Sequence, residues 1–241
     1  MALAIALFTC IIRYWLARVR GPLTVERRAL WLQSACRGVL ASVGVRFTFE
    51  GQPAARDLVV ANHLSYLDIA IFAAIMPCCF VSKSEVDRWP FFGKAARAGG
   101  TIFLNRSSLA SANSAAREIS ERLTHSTPVL LFPEGTSTDG SQVLRFHGRL
   151  IHPATVLGAP ITAAAIRYIP SDNIHERELC WFGDAGFLPH LWNLLGVNGF
   201  SAHVRFGLPR IYNDRRIAAE ETRAEVIAMR NEGPTNAEPA G

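Results

Sequence analysis

Short apolar runs interleaved with helical patterns predict an α/β fold, a mainly parallel twisted sheet covered by helices. Three observations carry this prediction. Runs rich in Val, Ile, Leu and Phe recur at 58–61, 79–83, 101–104, 129–132, 161–167, 179–182 and 202–206, each the length of a strand. Segments with helical periodicity separate many of them, at 67–76, 91–98, 109–124 and 149–157, and another follows the last run at 215–230. Polar clusters follow directly on two of the runs, and the carboxyl edge of an open α/β sheet is where ligands bind.

In chain order, the first 44 residues precede this alternation. Ala2 to Ile12 is an apolar run of 11 residues stopped by Arg13, with Tyr14, Trp15 and Leu16 beyond it. Such a run is shorter than the roughly 20 residues a bilayer requires. The positive charges follow it and no small-x-small site precedes Arg20, the reverse of a signal peptide. Gly21-Pro22 breaks the segment, and Ala29, Leu32, Cys36, Val39, Leu40 and Val43 continue an amphipathic pattern to Gly44. The prediction is a helical pair at a membrane interface over 1–44, with packing on the core as the alternative. A catalytic domain is expected over 45–230 and a disordered Asn-Gly-Pro-rich tail over 231–241.

Charge supports the division. Residues 1–56 hold eight Arg against Glu26 and Glu50, a net of +6, so the remainder carries −1 of the chain's +5. No recognition helix or aromatic-studded basic sheet accompanies these arginines, which argues for anionic lipid and against nucleic acid. Five cysteines form no CxxC and no zinc-type spacing with histidine, so neither a metal site nor a disulfide framework is predicted. Walker, GxGxxG, EF-hand and Gly-x-Ser-x-Gly patterns are absent.

Chemistry concentrates after the run 58–61. His63 follows it in a loop and Asp68 opens the next helix, a spacing that lets the carboxylate fold back onto one imidazole nitrogen. An acceptor at Nδ1 fixes the tautomer and leaves Nε2 as a general base. On spacing alone, a capping Asp68 and an incidental surface His63 are the better reading, because one His and one Asp five residues apart is a weak pattern.

Further blocks decide between the two readings. Asn62-His63 with Asp68, Lys83-Ser84-Glu85 with Trp89-Pro90 and Gly93, Gly100 to Arg106, Phe132-Pro133-Glu134-Gly135-Thr136, and Pro160-Ile161 occur in order over about residues 57–170. In this they resemble the NHxxxxD-type glycerolipid acyltransferases, the family of bacterial 1-acylglycerol-3-phosphate acyltransferases. The resemblance implies catalysis by His63 and Asp68. It implies substrate binding by Asn62, Lys83, Arg106, Glu134, Gly135 and Thr136, with Arg106 gripping a phosphate and Glu134 ordering Arg106 or the loop. It implies a lysolipid acceptor, acyl-CoA or acyl carrier protein as co-substrate, no cofactor, and a place at the cytoplasmic face of the bacterial inner membrane. Many members carry Arg after Glu-Gly-Thr where this chain has Ser137; either Arg145 or Arg149 replaces that guanidinium or the acceptor is less anionic, which leaves lysophosphatidate and lyso-ornithine lipid both open. A non-catalytic lipid-binding protein and a hydrolase remain as further readings. Cys78 and Cys79 lie near the site in sequence, but direct transfer needs no acyl-enzyme. Phe187 to Val197 is expected to line an acyl tunnel or to be ordinary core.

Overall fold

The computed structural model describes residues 1–53, 55–89, 92–105, 107–125, 127–171 and 174–232. Helices α1 (Ala2–Val19) and α2 (Val25–Ser42) lead into β1 (Val45–Glu50), β2 (Leu58–Ala61), α3 (Leu67–Ile75) and β3 (Cys79–Lys83). After a 3-10 turn at Ser84–Arg88 come α4 (Phe92–Ala98), β4 (Ile102–Leu104), α5 (Leu109–Thr124), β5 (Val129–Leu131), α6 (His152–Leu157) and β6 (Ile161–Pro170). The chain closes with α7 (Glu176–Leu179), α8 (Phe187–Leu195), β7 (Phe200–Phe206) and α9 (Arg215–Asn231).

Among the described residues the strands form one sheet in the order β1-β7-β6-β2-β5-β3-β4. All neighbours are parallel except β6 and β7. The central strands are buried on both faces, which explains why they are continuous apolar runs and not alternating ones. Along β2 the side chains divide by parity. Val59 and Ala61 join Phe72, Phe80, Leu130 and Ile166 on the side of α2 and α3. Leu58 and Val60 join Ile119, Val129, Leu131 and Val226 on the side of α5, α6 and α9. Helix α5 buries Ala112, Ala115, Ile119 and Leu123, a single stripe at helical spacing.

The helical pair over the first 44 residues is present, with Gly21 at φ +125° in the turn between the helices. Its two members differ. Helix α2 packs on α3 and places Leu32 and Leu40 in the core. Helix α1 lies on α2, where the Trp31 indole donates to Cys10 O at 3.1 Å, and none of its residues is buried. The helix runs through Arg13 to Val19, so it exceeds the 11-residue run read from the sequence. At 18 residues and a mean hydropathy of 1.6, it is long and apolar enough by length and composition to cross a membrane. Length therefore no longer argues against a crossing.

Three expectations for single elements are corrected. The sequence reading gives no strand to 45–50, yet alternating Val45, Phe47 and Phe49 make it the edge strand β1. The strand expected at 179–182 does not form. Its backbone is committed elsewhere, since Trp181 N donates to Leu64 O and Trp181 O accepts from Ser137 Oγ. Phe187–Val197 is neither core strand nor core helix: α8 buries none of its residues, and Leu188, Trp192 and Leu195 are exposed by 72, 79 and 48%. Of the expected tail, Asn231 ends α9 and the Glu232 carboxylate pairs with Arg205 at 2.7 Å, while 233–241 lie outside the described residues.

Candidate active site

Strands β2, β5, β3 and β4 are adjacent and parallel, so the segments after them share one edge of the sheet. That edge receives Asn62-His63 from β2, Phe132 to Thr136 from β5, and Lys83 from β3. Arg106 and Pro90 lie outside the described residues, though β4 ends two residues before Arg106. Blocks scattered over about 80 residues of sequence thus meet through topology alone.

His63 Nδ1 lies 2.8 Å from Asp68 Oδ2. Because an ionised carboxylate only accepts, Nδ1 carries the proton and Nε2 has the free lone pair. The imidazole stacks on Phe132, with ring centroids 4.1 Å apart, and its side chain is 18% exposed. Asp68, in the first turn of α3, is fully buried and held by further donors. Its Oδ2 also accepts from Leu64 N at 2.7 Å and Ser65 N at 3.0 Å, and its Oδ1 accepts from the Tyr168 hydroxyl. The loop 63–68 is wrapped around this carboxylate. A buried charge is tolerated when it is hydrogen-bonded in this way.

The backbone of His63 is fixed as firmly as its ring. His63 N donates to Glu134 Oε1 at 2.8 Å, and His63 O accepts from Thr138 N at 2.9 Å. The second oxygen of Glu134 accepts from Leu144 N at 2.7 Å, and Pro133 O accepts from His147 N at 2.9 Å. Gly135 supplies the left-handed turn, at φ +78°, that brings Thr138 back to His63. Burial pushes the Glu134 carboxyl above its ordinary pKa, against the two backbone donors. Glu134 is thus a bridge between the His63 loop and the strap 143–147, which gives its expected ordering of the loop a definite form.

Other expected binding residues take different parts. Asn62 is buried, and both ends of its carboxamide are spent on Ile166, with Nδ2 donating to Ile166 O at 3.1 Å and Oδ1 accepting from Ile166 N at 2.9 Å. It continues the β2–β6 ladder by one side-chain rung, which holds the start of the His63 loop to β6. Thr136 is exposed at the tip of its loop and Gly135 partly so. Lys83 is exposed at the carboxyl end of β3, on the same edge.

Sequence reasoning missed Tyr168, Thr138 and the cluster around Tyr66. The only signal for Tyr168 was an aromatic with a polar tip at the carboxyl end of an apolar strand. Replacement of Tyr168 by Phe removes one donor to a buried carboxylate and is expected to cost about 1.5–3 kcal/mol of stability in denaturant titration. Because His63 keeps its own bond to Oδ2, turnover should fall less than in Asp68→Asn. Tyr66 Oη sits 3.0 Å from His190 Nδ1, and its ring meets Trp181 and Phe187 at centroid distances of 5.8 and 5.0 Å. Phe187 in turn touches Trp89 and Phe92, so an aromatic cluster joins the His63 loop to α8.

Cys78 and Cys79 are buried, and burial pushes both thiols above their ordinary pKa. A thiol kept protonated is a poor nucleophile. Among the described residues no group of three His, Cys, Asp or Glu could hold a metal ion.

A carboxylate-held imidazole with an open Nε2, at the ligand-binding edge of an α/β sheet, has the form of a general base for a hydroxyl that the protein itself does not supply. Comparison with known proteins gives that form its family. The sequence profile of the Acyltransferase family matches residues 45–167. A lyso-ornithine lipid O-acyltransferase of Pseudomonas aeruginosa is 34% identical over 184 residues, 76% of this chain and 69% of that protein. A 1-acyl-sn-glycerol-3-phosphate acyltransferase of Neisseria meningitidis is 32% identical over 174 residues, 70% of this chain and 68% of that protein. The crystal structure of the 1-acyl-sn-glycerophosphate acyltransferase of Thermotoga maritima superposes with a TM-score of 0.57 at 18% identity, covering 98% of this chain and all of that one, and shows the same fold. The chain belongs to the Acyltransferase family. It is an enzyme, an acyltransferase of the 1-acylglycerol-3-phosphate acyltransferase type.

Proposed function

We propose that this enzyme transfers a fatty acyl group from acyl-CoA or acyl carrier protein to the sn-2 hydroxyl of 1-acyl-glycerol-3-phosphate, giving phosphatidic acid, with His63 as general base. The observation that carries the reading is the Nδ1-to-Asp68 bond at 2.8 Å, which leaves Nε2 as the nitrogen available to a substrate. Nε2 takes the hydroxyl proton as the acceptor oxygen bonds the thioester carbon. The C–S bond then breaks and the proton passes to the departing thiolate. Asp68 steadies the imidazolium between the two transfers, and no acyl-enzyme or bound cofactor enters. Base catalysis of this kind contributes about 10²–10⁴-fold, and orientation supplies much of the remainder. Lys83 ends one strand that borders this edge and the Gly135-Thr136 turn follows another, and these with Arg106, which lies outside the described residues, make up the acceptor's phosphate site in this reading.

A second acceptor has its own support. Ser137, where many family members carry Arg, turns its hydroxyl to Trp181 O and so ties two loops together. It offers no guanidinium to a phosphomonoester, and a similar protein is a lyso-ornithine lipid O-acyltransferase. Mass spectrometry of products from the purified enzyme, offered lysophosphatidate and lyso-ornithine lipid in competition, decides between them. Phosphatidic acid as the main product upholds the first reading, acylated ornithine lipid the second. Free fatty acid without either product makes the protein a hydrolase, and no product at all overturns the catalytic reading.

We also place the enzyme at a membrane surface, the cytoplasmic face of the inner membrane. Support comes from the unburied α1 and from Leu188, Trp192 and Leu195, which lie on one face of α8 in a stretch, 185–204, without Asp, Glu, Lys or Arg. Substituting Asp for Leu188 and Trp192 together is expected to weaken sedimentation with vesicles containing anionic lipid, while melting temperature stays near the parent's. Undiminished sedimentation removes α8 from the membrane surface.

A further inference from the structure

Beside the site runs a band of positive charge that the acyl-transfer reading does not use. Arg145, His147, Arg149, Arg215 and Arg216 are all exposed, and the side chains of the four arginines make no hydrogen bond or ion pair among the described residues. Their placement is built and not incidental. The strap that bears Arg145 and His147 is pinned on both sides, by Leu144 N to Glu134 and His147 N to Pro133, and by Arg223 Nε donating to Leu144 O at 2.8 Å. Val143 and Phe146 are buried beneath it. The next turn touches α9 so closely that a Cβ on Gly148 would lie 2.7 Å from Arg215 O, which brings Arg149 beside the first turn of α9. Residues 140–152 contain no Asp or Glu, and the nearby carboxylate of Asp214 caps α9 by accepting from Arg216 N and Ile217 N at 2.7 and 3.0 Å and feels the charges of Arg215 and Arg216 without a direct ion pair. Glu220, one turn beyond Arg216, forms no ion pair with it. This band stands on a body, 57–241, whose net charge is −1.

The band begins at the residues that hold His63 and extends away from it onto the α6 and α9 side, opposite α1, α2 and α3. That extension selects the ligand. The Arg210–Ile161 bridge sets the approach to α9 at the amino end of β6, away from the end of β2 that carries His63, and the phosphate of lysophosphatidate is only a few bonds from the hydroxyl that reacts, so an acceptor at His63 does not carry its charge to the first turn of α9. Coenzyme A holds its charge far from the reacting carbon, in the pyrophosphate and 3′-phosphate of an adenosine separated from the thioester by the whole pantetheine arm. We propose that Arg145, Arg149, Arg215 and Arg216, with His147, bind the 3′-phosphoadenosine diphosphate end of an acyl-CoA donor whose thioester lies at His63. The assignment rests on the acyl-transfer reading and names the donor which that reading leaves open. Guanidinium forks match phosphate oxygens, and a rigid strap lowers the ordering cost of the contacts.

The test compares parent and Arg149→Ala/Arg215→Ala enzymes on acyl-CoA and on acyl-pantetheine, the same thioester without the nucleotide. The expected result is that the parent's preference for acyl-CoA, as kcat/KM, collapses by about tenfold in the variant and shrinks with added salt. Adenosine 3′,5′-bisphosphate should inhibit the parent competitively against acyl-CoA and the variant about tenfold less. Binding of that nucleotide by calorimetry, which needs no turnover, guards against a variant altered in folding and against failure of the acyl-transfer reading. An unchanged preference, equal loss on both thioesters, or loss confined to acyl carrier protein as donor overturns the assignment. A parent that binds the nucleotide yet transfers no acyl group upholds the site and fails the reading on which its role rests.

Discussion

Replacement of His63 by Ala is expected to lower acyl transfer by about 10²–10⁴-fold while lysolipid binding persists. The substitution removes the Nε2 lone pair but none of the contacts made by the His63 backbone, since Glu134 and Thr138 bind its N–H and carbonyl. The loop should therefore keep its course. Product formation is followed with the acyl donor at saturation, and acceptor binding by equilibrium partition. Undiminished turnover would remove His63 from the chemistry and with it the proposed mechanism. Asp68→Asn should come close to this loss for a different reason. Three donors converge on Oδ2, and a carboxamide rotated to accept from Leu64 and Ser65 sets its NH₂ toward the Tyr168 hydroxyl. That variant must be checked by circular dichroism, because its fault is partly structural.

The second large effect belongs to Glu134→Gln. Both carboxylate oxygens accept from backbone N–H groups, at 2.8 Å from His63 and 2.7 Å from Leu144, so a carboxamide must turn its NH₂ against one of them. One buried donor loses its partner, at a cost of about 1–3 kcal/mol in denaturant titration. The same clash shifts His63 or the strap, and displacement of a catalytic group by about 1 Å costs on the order of 10²-fold in turnover. The sign of the pH dependence follows from burial. With its native pKa raised, Glu134 holds a proton in the folded state over a range where the unfolded chain has released it. Its contribution to stability therefore falls as pH rises from the unfolded pKa through the native one. Glutamine has no proton to release, so the variant should lack that segment of the stability profile. A parent-like turnover in Glu134→Gln would show that the bridge to His63 is dispensable.

Much of this was legible beforehand, and what was not has physical causes. The apolar runs of β2, β3, β4 and β5 were readable because strands buried on both faces cannot alternate. The polar groups that end β2 and β5 marked the edge where they meet. Edge strand β1 escaped because six residues of modest alternation resemble many loops. The false strand at 179–182 looked apolar enough, but its backbone bonds go to Leu64 and Ser137, and no local pattern records partners over 40 residues distant. The His63–Asp68 pairing could be argued from spacing. The tyrosine that completes the carboxylate's shell could not, since Tyr168 is 100 residues from Asp68 and is brought there only by the pairing of β6 with β2. Asn62 shows the opposite limit. A polar residue beside a catalytic histidine suggests substrate contact, and only coordinates reveal a side chain acting as an extra peptide rung.

The edge strand carries a consequence for how the molecule is made. Among the described residues strand β1 pairs only with β7, and partners such as Thr48 and His203 are 155 residues apart in the chain. Contacts this distant form late, because loop closure must precede any gain from them. During synthesis α1, α2 and α3, which pack on one another, all emerge while the partner of β1 has yet to be translated. The amino-terminal helices can thus settle on one another and on α3 first, and β7, translated about 155 residues after β1, then completes that edge of the sheet.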